Sequence, residues 1–119
     1  MKRDPELLRE ILFKIEDDVD VLTQDMHTEK NRVIHGHVEL LEDDGLVECD
    51  PLHNIAGVPI KYRSIRLTST GHDVLDALRD DDGTPAMKER ISMRLKAMLP
   101  YAPTVVDLLL KLFGASPSP

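Results

Sequence analysis

Five side chains between positions 30 and 39 are of the types that hold phosphate or read base edges: Lys30, Asn31, Arg32, His35 and Glu39, with Gly36 among them. On a helix running from about Thr28 to Asp44, Ile34, Val38 and Leu41 stack on one side with His37 beside them. Arg32, Gly36, Glu39 and Asp43 then point away, leaving an open face. In a major groove, Arg32 matches guanine, Asn31 matches adenine and Lys30 lies near phosphate. Lys61, Arg63 and Arg66, further along, suit DNA backbone or the minor groove, and Lys2 and Arg3 add a basic end. The open face also carries Glu29, Glu39 and Asp43, whose carboxylates oppose phosphate. Double-stranded DNA is the expected partner, and an ordinary solvated helix face is the competing account.

Other reactive types make weaker patterns. His27, His35, His37, His53, His72 and Cys49 invite a metal reading, but His35 and His37 are about 200° apart on a helix and cannot chelate together. Cys49 and His53 supply only two ligands, so no metal and no cofactor is expected. There is no Gly-rich phosphate loop, nucleophile elbow or His-Glu metal helix, and Asp80-Asp81-Asp82-Gly83 lacks the alternating spacing of a calcium loop. His72, Asp73 and Asp76 are the nearest thing to an acid-base cluster, and packing at a helix start explains them equally well. The chain is not expected to be an enzyme.

The positioning elements are legible from caps and periodicity. Asp4 and Pro5 open a first helix that buries Leu7, Leu8, Ile11, Leu12 and Ile15. Val19 to Leu22 alternates apolar and acidic residues and reads as a short extended segment. Thr28 caps the second helix and Gly45 ends it. Leu46 to Cys49 and Ile60 to Leu67 read as strands of a hairpin with a long tip over Asp50 to Pro59. Thr68 or Ser69 caps a third helix burying Val74, Leu75 and Leu78. Thr84 and Pro85 start a fourth with Met87, Ile91, Leu95 and Met98 on one stripe. The last helix, Pro103 to Phe113, is apolar nearly all round and must be covered on more than one side.

Bulk properties set limits. With 119 residues the chain fits one ordinary domain. Its single cysteine allows no internal disulfide, and the N-terminal segment lacks the apolar stretch of a signal peptide, so the cytoplasm is the expected compartment. No run approaches the roughly 20 apolar residues of a spanning helix, so no membrane insertion is expected. The net charge of -7, from 22 acidic against 15 basic residues, disfavours non-specific nucleic-acid binding but not a locally basic surface.

Two strings carry the fold reading. His37-Val38-Glu39-Leu40-Leu41-Glu42-Asp43-Asp44-Gly45-Leu46-Val47 resembles the join between recognition helix and first wing strand in bacterial winged-helix regulators. Leu67-Thr68-x-x-Gly71 resembles the handover from second wing strand to the next helix. With Met1-Lys2-Arg3-Asp4, the Leu8 to Ile15 helix and Gly71-His72-Asp73-Val74-Leu75-Asp76-Ala77-Leu78-Arg79-Asp80, residues 1–82 resemble the YjcQ-like group, a winged-helix family of short bacterial and phage proteins of unknown function. Gly36 and Ser69 stand where that group places aromatics, and Gly83-Thr84-Pro85-Ala86 where it places another. The core pattern is untouched. The resemblance implies a fold and supplies no activity.

The resulting expectation is an α+β, mostly helical chain. Residues 1–82 form a winged helix-turn-helix core with a two- or three-stranded wing, 83–114 a C-terminal helical extension packing on it or on a partner, and 115–119 a disordered tail. The expected function is a DNA-binding transcriptional regulator, with a protein interaction or scaffold module as the alternative. Val106, Leu109, Leu110 and Phe113 are the candidate contacts of a symmetric homodimer, simple packing within the domain being the other account.

Overall fold

A computed structural model describes residues 2–17, 28–57 and 59–114. The expected extended segment at Val19 to Leu22, His27 and the tail 115–119 lie outside the described residues. Helix α1 spans Pro5–Glu16, α2 Glu29–Asp43, α3 Ser69–Arg79, α4 Pro85–Ala97 and α5 Pro103–Leu110, the last running on into a 3₁₀ turn, Lys111–Phe113. Strands β1 (Val47–His53) and β2 (Pro59–Leu67) form one antiparallel sheet in which Val47 faces Leu67. The chain is mostly helical with a small two-stranded sheet, an α+β arrangement.

The helix starts follow their capping chemistry. Asp4, Thr28, Thr68 and Thr84 each accept a backbone N–H of the first turn, from Glu6, Asn31, Gly71 and Met87 respectively. At the other end of α2, Gly45 adopts a left-handed φ of 76°, where a Cβ would crowd the carbonyl. The strands differ from expectation at the hairpin tip. β1 continues through Pro51 to His53, which shortens the tip. Pro51 is tolerated because β1 pairs with one neighbour only and the register shifts beside it, between Asp50 and Pro51 and again between Leu52 and His53.

A single core joins these elements. α1 contributes Leu8, Ile11, Leu12 and Ile15, and it touches α2, α3, α5 and β2. Leu7 is only half-buried. α5 inserts Val105, Val106, Leu108, Leu109 and Leu110 between α1, α2 and α4. Its own N-cap position, Ala102, offers no side-chain acceptor, and Asp44 at the end of α2 supplies one: its carboxylate accepts the Val105 N–H at 2.6 Å. α5 is therefore tied to α2 as well as packed beneath it. Among the described residues no helix is long and apolar enough to cross a membrane.

The two junction strings are bonded to each other. Thr68 donates its backbone N–H to Leu46 O at 2.9 Å, its hydroxyl donates to Gly45 O, and the same hydroxyl accepts the Gly71 N–H at 3.1 Å. One threonine thus joins the exit of α2, the start of β1 and the first turn of α3.

His37 is fully buried on the core side of α2. Its Nδ1–H donates to Val33 O at 2.7 Å, and Nε2 accepts the Asp4 N–H at 2.9 Å, so the ring anchors the start of α1 to α2. His37→Leu is expected to cost about 1–3 kcal/mol by stranding the Asp4 amide. Urea unfolding would measure this, and a loss below a few tenths would show that solvent satisfies that amide.

The acidic run after α3 makes a turn. Asp81 and Asp82 accept the N–H groups of Gly83 and Thr84, both at 2.9 Å, and Thr84's hydroxyl donates to Asp82 at 2.6 Å. The bonds from Thr84 hold the Asp82 carboxyl below its usual range.

Candidate functional site

The open face of α2 meets the hairpin along one polar seam. His35 and Tyr62 stack at a tilt, with ring centroids 5.5 Å apart, and the tyrosine hydroxyl hydrogen-bonds His35 Nδ1. On its other side the ring donates from Nε2 to Glu39 Oε1 at 3.1 Å. One turn further along, Glu42 accepts the Cys49 S–H at 2.9 Å. Burial raises the Tyr62 phenol well above its ordinary value, with Cys49, Glu39 and Glu42 adding to the effect, so its proton remains available for His35.

Burial likewise pushes the Cys49 thiol up to about 12, aided by its hydrogen bond to Glu42 and by the Glu42 and Glu39 charges. Cys49 is therefore expected to react at least about 100-fold more slowly with a disulfide reagent at pH 8 in the folded chain than in urea. Equal rates would show that the seam opens freely. The sign of the linkage is also fixed. From the ordinary thiol value of 9.0 upward the unfolded thiol ionises while the folded one does not, so this contribution to stability is intact below that pH and is lost as pH rises toward 12.

The base-reading and phosphate candidates fall into three groups. Lys30 and Arg32 are exposed, and neither makes an ion pair among the described residues. Arg32 and Arg3, from the segment before α1, line one shallow depression with Gly36, Leu40, Glu39 and Asp43. Asn31 is half-buried in the first turn, where its backbone N–H meets Thr28. The second group is engaged within the molecule: His35 and Glu39 hold each other and His35 holds the hairpin, so both brace the two elements. The third is on β2, where Arg66 pairs with Glu48 and Arg63 with Asp50 at 3.8 Å, while Lys61 stands opposite Leu52 in the register.

The remaining candidates are dispersed. Val106, Leu109 and Leu110 are wholly buried inside the chain and Phe113 half-buried, so α1, α2 and α4 provide the cover that an all-round apolar helix requires. Cys49 turns to Glu42 while His53 is exposed at the far end of β1. Among the described residues no three His, Cys, Asp or Glu side chains are grouped to hold a metal ion. His72 is exposed, and Asp73 and Asp76 line a groove between α3 and α4 with Arg94, Met98 and Tyr101.

Sequence reasoning missed the Tyr62 and Glu42 contacts. Their signal was the half-polar inner face of the hairpin: Cys49 and Tyr62 occupy strand positions that point toward α2, where a purely structural hairpin would place aliphatic residues.

Fold and site together define a mostly helical α+β domain with a braced helix-and-hairpin face. The chain belongs to the family described as "Hypothetical protein (DUF2513)", which matches residues 2–93. The match runs from the start of the chain into α4, and it names this family and not the YjcQ-like group that the junction strings resemble. No curated protein and no solved structure matches the chain.

Proposed function

We propose that the chain is a DNA-binding regulator in which residues 1–82 form a winged helix-turn-helix. In this reading α2 is the recognition helix and the β1–β2 hairpin is the wing. The observation that carries it is the pairing of Arg3 and Arg32 beside Gly36 on the open face of α2, two guanidinium groups without an ion-pair partner among the described residues. Lys30, exposed near the start of the same helix, adds a third cation suited to a phosphate. The resemblance of the two junction strings to the YjcQ-like group supports the same assignment, since the strings fall at the start of β1 and the end of β2.

The wing arginines are compatible with this reading. Arg63 and Arg66 are 65% and 77% exposed in their ion pairs with Asp50 and Glu48. Exposed pairs of this kind are worth at most about 1 kcal/mol, so both can exchange a carboxylate for a phosphate at small cost. Glu39 and Asp43 then act as selectors, weakening attachment to DNA in general and leaving binding dependent on base contacts by Arg32.

The test is selection from a random double-stranded DNA library by the full chain at low and physiological salt. One enriched motif is expected. Arg32→Ala should weaken binding to it by about 1–3 kcal/mol, relax preference at one position and leave the assembly state unchanged. Failure to enrich at both salts removes the reading.

A protein-interaction role is the second reading. It is favoured by Met93 and Tyr101, which remain 66% and 73% exposed, Tyr101 at the rim of the groove between α3 and α4. A partner, a second copy included, would then meet that side of the molecule, with Phe113 as the one half-exposed member of the expected dimer contacts.

A further inference from the structure

Two polar side chains are buried among the described residues, His37 and Ser92. The histidine has a partner on each ring nitrogen, as described above. Ser92, 7% exposed on α4, makes no side-chain hydrogen bond among the described residues. Among the described residues no wholly enclosed side-chain oxygen or nitrogen lacks a partner, so the Ser92 hydroxyl opens onto the depression it lines. A hydroxyl on a side chain this deeply set, open on one side and without a protein partner, is available to hydrogen-bond a bound molecule.

That depression, open to solvent and about 420 Å³ in volume, is bounded by Pro85, Lys88, Glu89, Ser92 and Lys96 of α4 and by Phe113 of the 3₁₀ turn. The volume falls in the range of small-molecule sites, roughly 300–1,000 Å³. Lys88, Ser92 and Lys96 are spaced four apart, which stacks them on one face of α4 with the two lysine backbones about 12 Å apart and the serine midway. Both lysines line the same depression as that serine. Neither lysine forms an ion pair among the described residues. Glu89 is also at the wall, so two ammonium groups face one carboxylate and the cavity holds a single positive excess. This selects a monoanion over a phosphate dianion. Phe113, half-buried, offers an aromatic surface for an apolar body attached to the anion.

We propose that this cavity binds an organic monocarboxylate, its oxygens held by Lys88, Lys96 and the Ser92 hydroxyl and its apolar part lying on Phe113. The local composition agrees: residues 85–114 carry five Lys or Arg against two Asp or Glu, in a chain with 15 against 22. The site is independent of the DNA reading, since it is built from α4 and the 3₁₀ turn and includes no residue of α2 or the hairpin.

The experiment is calorimetric and ligand-observed NMR titration of the full chain with benzoate, phenylacetate and octanoate, with methyl benzoate and inorganic phosphate as controls. At least one carboxylate is expected to bind, and the ester and phosphate at least tenfold more weakly. The double variant K88Q/K96Q should lose at least tenfold, and Ser92→Ala severalfold with an unchanged thermal midpoint. Arg90→Gln, on the opposite side of α4 from Ser92, should bind as the parent does. Absence of binding by all three carboxylates at 10 mM, equal binding by K88Q/K96Q, or preference for phosphate would each overturn the proposal.

Discussion

Replacing Gly71 with alanine is expected to destabilise the chain by about 3 kcal/mol, the upper end of what overpacking ordinarily costs. The added Cβ would stand 2.0 Å from Leu46 O and 3.0 Å from Leu46 C, with Leu67 Cδ2 at 3.2 Å. A flexible side-chain tip could move aside, but the Leu46 carbonyl cannot do so freely. It accepts the Thr68 N–H at 2.9 Å, and the Leu46 N–H is itself bonded to Leu41 O at 2.9 Å. Relieving the clash means withdrawing α3 from the start of β1 and loosening the threonine that ties both to Gly45. Gly45→Ala is the informative control: its Cβ meets nothing within 4 Å, and only the φ of 76° is unfavourable. That strain is worth about 1–2 kcal/mol. Urea unfolding of the two variants separates lack of space from backbone conformation. A smaller loss for Gly71→Ala than for Gly45→Ala would show that the helix-to-strand approach yields easily.

This contact also explains why the two junction strings are found together. Each was readable as a local signal, a glycine exit from a helix and a threonine cap. The sequence could not show that Thr68, Gly71 and Leu46 close one knot, because a hydrogen bond across 23 residues leaves no periodic trace. Element order, the four side-chain caps and most core positions were legible for the same reason that they are local: capping and amphipathic spacing act within one or two turns. The hairpin tip was misjudged where the local rule met a tertiary exception. Pro51 argues against a strand, yet an outer strand with a shifted register accommodates it.

The candidate site was legible in position but not in partnership. Helical spacing placed Arg32 on the open face of α2 and residue type marked Lys30 for a phosphate, and both are exposed in the structure. The same spacing treated His35 as free to read a base. What spacing cannot give is the side chain lying opposite across the seam, and Tyr62, 27 residues away, engages that histidine. Charge was read as a sum, with its placement left open. The total of -7 concealed a basic C-terminal stretch, whose four cations between Lys88 and Lys96 a count by segment would have revealed.

Leu109→Ala is expected to lower stability by about 3–5 kcal/mol and the thermal midpoint by on the order of 10 °C or more. Leu109 is wholly buried in α5, and removal of its branched end leaves a cavity in a core where α1, α2 and α4 are all held by other contacts and cannot collapse onto it. The form of the transition is as informative as its midpoint. An extension merely resting on an independent 1–82 domain would melt first, giving two transitions in calorimetry. The Asp44 carboxylate capping α5 from the end of α2, and the placement of α5 directly against α1, make the whole described chain one cooperative unit. A single transition shifted downward is therefore expected. Two resolved transitions would show that α5 is separable, and a midpoint rising with protein concentration would show that its leucines are covered by a second copy of the chain and not by α1.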